Sequence, residues 1–285
     1  MLVNLQTIIG MAEAGGFCIP AFNVYNTETV MGVIDAAEAK RAPVILQVYP
    51  RLINEAVGFY IAPAVIAAAH RASVPVCLHL DHGPSMQEVG RALRYGFSGI
   101  MLDGSAHPLA ENIALTRAAV EACANVGIGV EGEIGHVGSV NDAAMDEFTS
   151  PDEAAEFVKA TGVCCLAVLI GNAHGHYKKP PKLDIERVKA IRAACGIPLV
   201  LHGGSGIPDE EVKAAIAAGI RKMNIGTDVC CAFADVCCAF ADGTLASLQD
   251  PARSIAVDVF MKRAVAAVRA LAEEKIELVG AAGKA

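Results

Sequence analysis

Short apolar runs alternate along the chain with stretches in which apolar residues recur every three to four positions. The runs lie near residues 17–22, 43–48, 76–80, 98–102, 128–133, 164–170, 198–202 and 220–225. Several are apolar almost throughout, as from Cys164 to Ile170, which suits parallel strands covered on both faces. The stretches between them read as helices. Val30, Val33, Ile34 and Ala37 keep helical spacing after Asn26. Ser85 with Glu88 and Ser150 with Glu153 have capping-box spacing, the second with Pro151 at the first helical position. Asp184 is placed to cap a helix carrying Ile185, Val188 and Ile191. No Pro/Ser-rich linker, charge block or low-complexity stretch divides the chain. The pattern predicts one α/β domain over residues 1–285, a (β/α)8 TIM barrel, with an open doubly wound sheet as the alternative. VCCAFAD occurs twice, at 229–235 and 236–242, and reads as a helix after the last strand.

The polar residues of interest follow the apolar runs. Asp81 and His82 come after residues 76–80, and Asp103 after Gly99–Leu102. Glu131 and Glu133 close the run that starts at Ile128. His174 lies in the segment after the sixth run, and His202 ends the seventh. Asn224, Gly226 and Thr227 end the eighth. In a parallel barrel all these strand ends lie on one face, where barrel active sites form. Three histidines from separate strand ends, with a carboxylate beside one, fit a catalytic zinc site that keeps a position open for substrate. His70, His107, His136 and His176 read as structural or surface groups, and His79 as filling the barrel interior. The segment Gly203-Gly204-Ser205-Gly206 precedes a helix near Pro208, where backbone N–H groups can wrap a phosphate. Asn224-Ile225-Gly226-Thr227 opens another helix, and barrels often bind phosphate with the loops after strands seven and eight.

Composition narrows the partners. The chain has 285 residues, 54% of them hydrophobic, and a formal net charge of −8. Such a surface repels nucleic acid and anionic membranes, so neither is an expected partner. An anionic substrate would need a local positive source. No apolar run approaches the roughly 18 residues that a membrane helix requires. Residues 1–11 lack the basic start and cleavage site of a signal peptide, so the expected address is the cytoplasm. The ten cysteines form no CxxC pair. They read as small buried apolar groups in a reducing compartment.

Several co-ordered motifs carry a family resemblance over nearly the whole chain. They are Pro20-Ala21-Phe22-Asn23, Leu80-Asp81-His82-Gly83, Asn172-Ala173-His174-Gly175-His176-Tyr177-Lys178, Leu201-His202-Gly203-Gly204-Ser205-Gly206 and Met223-Asn224-Ile225-Gly226-Thr227. Together with the ending Lys275 to Ala285, they resemble the class II fructose-bisphosphate and tagatose-bisphosphate aldolases. The resemblance implies a zinc-dependent cleavage of a ketose phosphate to dihydroxyacetone phosphate and an aldehyde. It implies His82, His174 and His202 as zinc ligands, and Asp103 and Glu133 at an alternative metal position. It makes Asp81 the acid/base at the substrate C4 hydroxyl. Asn23, Gly175, Lys178, Gly203, Gly204, Ser205, Asn224, Ile225, Gly226 and Thr227 would form the dihydroxyacetone-phosphate site. Another divalent metal could replace zinc, and the resemblance admits a monovalent cation as well. It further implies a homodimer or homotetramer acting on a small sugar phosphate.

Three positions depart from the family pattern. Tyr49 stands where members often carry Ser or Thr, on the aldehyde side. The family's Asp-Pro-Arg segment reads Asp250-Pro251-Ala252-Arg253. The loop after Glu133 reads Gly138-Ser139-Val140-Asn141-Asp142, with Asn141 in place of an ionisable Glu and Asp142, Asp146 or Glu147 as its replacements. The expectation is a retained dihydroxyacetone-phosphate half and an altered aldehyde half. The substrate would be another ketose 1-phosphate, a sugar-acid or sulfo-sugar phosphate, or the usual hexose bisphosphate if neighbours compensate. Two rivals are a Schiff-base aldolase, with Lys222 the strand-end amine, and a non-catalytic helper chain of an aldolase complex.

Overall fold

The structure, a computed structural model, describes residues 1–140, 148–247 and 257–285. Each apolar run overlaps one strand, with β1, β3 and β5 ending beyond their runs: Ile19–Asn23 (β1), Val44–Val48 (β2), Val76–Gly83 (β3), Gly99–Leu102 (β4), Val130–Ile134 (β5), Cys165–Val168 (β6), Leu199–Leu201 (β7) and Ile220–Ile225 (β8). They pair in sequence order, all parallel, and β1 pairs with β8 to close an eight-stranded barrel. This is the (β/α)8 barrel that the alternation predicts. The open sheet is excluded by that last pairing. Near-total burial of β1, β2, β5 and β6 explains why their sequences show no polar alternation.

The helix starts obey local chemistry, with two amendments. Asp184 accepts from the Arg187 amide at 3.0 Å and caps Ile185–Cys195, as its position predicts. Ser85 accepts from the Gln87 amide at 3.1 Å, and its hydroxyl donates directly to Glu88. Ser150 makes no side-chain cap bond, so Pro151 at the first position, rather than a capping box, marks that start. A reciprocal box occurs instead at Asn26, whose side chain accepts from the Thr29 amide while the Thr29 hydroxyl accepts from the Asn26 amide. The helix Leu5–Gly15 packs against β1, β3, β4 and β8, with Leu5, Ile8 and Ile9 buried. The helix Thr227–Ser247 contains both copies of the heptad repeat. All ten cysteines are free thiols. Among the described residues no helix is long and apolar enough to cross a membrane.

The helix Val257–Leu278 packs closely on Thr27–Lys40, and Gly32 sets their approach. A β-carbon at Gly32 would meet Val268 Cβ at 2.7 Å and the Val265 carbonyl oxygen at 2.9 Å. Alanine would gain roughly 1 kcal/mol of helix propensity. Overpacking against a backbone carbonyl costs about 1–3 kcal/mol. Gly32→Ala is therefore expected to lower the melting temperature. An unchanged or raised melting temperature would show that the two helices separate freely.

Candidate active site

The site is built from the C-terminal ends of the strands. At the end of β3 the pairing register with β4 shifts between Leu80 and Gly83. His82 sits at this irregularity with φ 51°, a left-handed conformation that non-glycine residues adopt reluctantly. The kink leaves Asp81 buried inside the barrel end and His82 facing β4 and β5. Strain of this kind persists where surrounding contacts hold it, commonly at functional sites.

The three histidines converge. The ring centroid of His82 is 5.0 Å from that of His174 and 4.6 Å from that of His202, and the last two are 5.7 Å apart. The three residues can offer ligand nitrogens lying within 4.8 Å of one another, and His82, Asp103 and Glu133 form a second such group. His82 Nε2, His174 Nε2, His202 Nδ1 and Glu133 Oε2 are buried without a hydrogen-bond partner. Buried polar atoms are normally satisfied, so this cluster of unpartnered ligand atoms fits a cation. Charge points the same way. Asp81, Asp103, Glu131 and Glu133 stand against one ammonium, Lys222. Burial pulls the His82 imidazole down, but Asp81, Asp103 and Glu133 more than offset it and push it up to about 10. Burial, with His82 and His202 alongside, pushes His174 down to about 3. Burial lowers His202, but Glu131 and Glu133 outweigh it and raise this ring as well, so the carboxylates around the three rings favour positive charge among them, which a bound cation would supply.

Loop contacts hold the backbone that carries His174 and His202. Val140 N donates to the His174 carbonyl and His174 N to the Gly138 carbonyl, both at 2.9 Å. Asn172 Nδ2 donates to the His202 carbonyl at 3.1 Å. The Tyr177 hydroxyl accepts from Ala173 N and donates to the Gly203 carbonyl. The Ser105 hydroxyl, with its single proton, lies within donating distance of Asp103 at 2.6 Å and of Glu133 at 3.2 Å. His136, read as a surface group, is exposed but contacts the same Ser105 hydroxyl at 3.0 Å.

Asp81 lies in a cradle of three amides. Asn23 Nδ2 donates to Oδ2 at 2.7 Å, Gln47 Nε2 to the same oxygen at 3.2 Å, and Asn224 Nδ2 to Oδ1 at 3.1 Å. Burial alone would raise this carboxyl. His82, His202, Lys222 and the Asn23 bond outweigh burial and hold it below the ordinary range, as an ionised base. Asn23 and Asn224, expected to touch substrate, here use their side-chain amides to position Asp81.

A second network lies beneath. Glu131 is fully buried, 2.9 Å from His202 Nε2 and 2.9 Å from Lys222 Nζ. Lys222 also donates to Asn224 Oδ1 at 2.7 Å. His79 fills the barrel interior beside Glu131, as expected, and burial and Lys222 push it down to about 3. Burial lowers Lys222, but Glu131 and Asp81 more than compensate and raise it. The amine stays charged, which argues against a Schiff-base role. Sequence reading missed Glu131, Lys222 and Gln47 as members of these networks. Gln47 is signalled by polarity within the otherwise apolar β2, whereas Glu131 and Lys222 share β5 and β8 with other polar residues.

The glycine-rich loops adjoin. Gly204 N donates to the Asn224 carbonyl at 2.9 Å, and Asp228 N to Ser205 Oγ at 3.1 Å. Gly203 has φ 62°, and a β-carbon there would collide with the Ala173 carbonyl oxygen. Gly175 also has positive φ, while Lys178 is exposed further along the same loop. Ile225 is buried in β8, with Gly226 and Thr227 just beyond it. Asn141, Asp142, Asp146, Glu147, Asp250, Pro251, Ala252 and Arg253 lie outside the described residues.

A closed parallel barrel thus presents three converging histidines and a cradled aspartate at its C-terminal face. The chain matches the fructose-bisphosphate aldolase class-II family over residues 3–284 and belongs to it. It is 41% identical to the uncharacterized protein YdjI of Escherichia coli K12 over 291 residues, covering 100% of both chains. The crystal structure of the YdjI aldolase superposes with a TM-score of 0.87 at 38% identity over 100% of both chains. A putative fructose-1,6-bisphosphate aldolase from Coccidioides immitis gives 0.87 at 32% identity, covering 99% of this chain and 97% of that one. The fructose-bisphosphate aldolase of Campylobacter jejuni gives 0.83 at 26% identity, covering 100% and 97%.

Proposed function

We propose that the protein cleaves a ketose phosphate reversibly to dihydroxyacetone phosphate and an aldehyde, with zinc as its metal. The observation that carries this reading is the convergence of bare, buried nitrogens from His82, His174 and His202 beside the ionised Asp81. The three histidines would hold the ion, and Asp103 and Glu133 would offer a second position for it. A divalent cation there supplies Lewis-acid stabilisation of the charge left beside the ketone when the bond breaks. Asp81 takes the C4 hydroxyl proton as the C3–C4 bond opens and the electron pair stays on C3. A proton delivered to C3 completes the balance, and condensation is the reverse. The loops Gly203–Gly206 and Asn224–Thr227, with Gly175 and Lys178, would hold the phosphate and orient the reacting carbons. A cytoplasmic sugar-phosphate enzyme acting as a homodimer or homotetramer is the setting this reading suggests. The intact aspartate and histidines favour a catalytic chain over a helper subunit.

Exchange of the carbon-bound proton of dihydroxyacetone phosphate in D2O, followed by NMR, tests the half of the site that needs no aldehyde. Exchange is expected from the zinc-loaded protein, lost on chelation and restored by zinc. No exchange from a folded, zinc-loaded protein would overturn the reading.

A further inference from the structure

Beside the catalytic centre a cavity of about 510 Å³ is lined by Tyr25, Tyr49, Pro50, Arg51, Thr227 and Cys230. It adjoins the Asp81 cradle. A β-carbon at Gly226 would lie 2.9 Å from Asn23 Oδ1 and 3.2 Å from the Tyr49 hydroxyl, and Asn23 itself holds Asp81. The cavity therefore opens about one side chain from the proposed base. Its volume falls within the range of about 300–1,000 Å³ typical of small-molecule pockets.

The chemistry of the walls is specific. The Arg51 guanidinium stands 5.9 Å from the Tyr49 ring centroid and 6.0 Å from that of Tyr25. The two rings are 6.4 Å apart and tilted by 37°. Among the described residues these rings, and no carboxylate, are the guanidinium's neighbours at contact distance. A guanidinium held beside aromatic faces keeps a planar fork of donors suited to bidentate recognition of a carboxylate or phosphate. Burial, reinforced by Asp81, keeps the Tyr49 phenol well above its ordinary range, so it remains a neutral O–H donor. Burial does the same for Tyr25. In a chain of net charge −8 this cavity offers an anion a local positive source and hydroxyl donors together.

We propose that this cavity receives the aldehyde half of the substrate and that Arg51 binds an anionic group, carboxylate or phosphate, at the end away from the carbonyl. The proposal rests on the aldolase reading above. Tyr49, a departure from the small hydroxyl residues usual in the family, then serves to orient Arg51 and to floor the cavity.

The test is condensation of dihydroxyacetone phosphate with four-carbon aldehydes of equal length: the neutral sugar, its 4-phosphate and the corresponding aldehydo acid, each in erythro and threo forms. Wild-type enzyme should show kcat/KM for one anionic aldehyde roughly 10-fold or more above the neutral one, the scale of one charge-assisted contact. The larger ratio names the anion. In Arg51→Met the ratio should collapse toward one, and Arg51→Lys should keep part of it. Arg51 is exposed, so both variants should fold, which thermal melting checks. An equal anion preference in wild type and Arg51→Met overturns the proposal. So does condensation with neutral aldehydes alone, or with none, while proton exchange of dihydroxyacetone phosphate persists. Loss of that exchange in the wild type overturns the aldolase reading itself, and the proposal falls with it.

Discussion

Asp81→Asn is expected to lower kcat for cleavage by about 10²- to 10⁴-fold, the usual contribution of a positioned general base. The magnitude follows from how the carboxylate is held. Three amide donors meet two oxygens, with Asn23 and Gln47 on Oδ2 and Asn224 on Oδ1. They fix its direction and, with the nearby positive charges, keep it ionised. An asparagine keeps the shape and loses the proton acceptor. It can retain the two bonds on the Oδ2 side by presenting its carbonyl there, which turns its own amide toward Asn224. One buried donor is then left facing a donor, at a cost of about 1–3 kcal/mol. The fold should survive that loss. Metal content after loading should match the wild type, because the carboxylate lies 3.9 Å from His82 Nε2 and is not required to complete the histidine trio. Proton exchange of dihydroxyacetone phosphate should fall far less than cleavage, because that step moves a proton at carbon and not at the C4 hydroxyl. Cleavage within a few-fold of wild type would remove Asp81 from its proposed role. Equal loss of cleavage and exchange would mean that Asp81 serves the whole site and not one proton.

Much of this arrangement is legible in the sequence because a parallel barrel converts order along the chain into position on one face. Apolar runs locate the strands, and whatever polar residue follows each run lies at the C-terminal rim. That rule alone brings Asp81, His82, Asp103, His174 and His202 together. It does not say what each side chain touches. Asn23 and Asn224 lie at ends of adjacent strands, and either could have faced a ligand. The structure turns both toward Asp81, since an ionised, buried carboxylate is the strongest acceptor within reach. The Glu131–Lys222–His79 cluster is less legible for a related reason. Its members come from β5, β8 and β3, and nothing in local spacing pairs residues so distant in sequence. The alternation predicts only that they are inside. The caps show the same limit at short range. Ser150 has the right spacing but makes no cap bond, whereas Asn26 and Thr29 form a reciprocal box outside the usual Ser/Thr with Glu/Gln signature.

Lys222→Met should be the most destabilising of these substitutions, by about 3–5 kcal/mol, because it breaks a fully buried ion pair from one side. The methionine matches the lysine stem in bulk, so cavity formation contributes little. What is lost is the ammonium that stands 2.9 Å from Glu131 and 2.7 Å from Asn224 Oδ1. Glu131 is fully buried, and its remaining polar neighbours among the described residues are His202, His79 and the Cys165 thiol. Burial, the larger of the two causes that keep His79 neutral, persists without Lys222, so His79 is a poor substitute for that charge. For a chain of this size the loss corresponds to a fall in melting temperature on the order of 5–15 °C. The double variant Lys222→Met/Glu131→Gln separates two causes. If the penalty is an uncompensated carboxylate, removing that charge should restore a large part of the stability, since paired removal of a buried ion pair is often close to neutral. The cycle would then show strong coupling between the two sites. If the double variant is no more stable than the single one, the lysine stem itself, and not its charge, holds the barrel interior. Metal loading gives a second readout. Glu131 accepts on one side of the His202 ring and so directs the bare Nδ1 toward the other histidines. Loss of such an orienting partner typically weakens metal binding by about 10- to 100-fold. The double variant should therefore regain stability while its metal affinity falls below that of the single variant, because the glutamine amide is a weaker acceptor for His202 than the carboxylate, a split that a purely structural network would not produce.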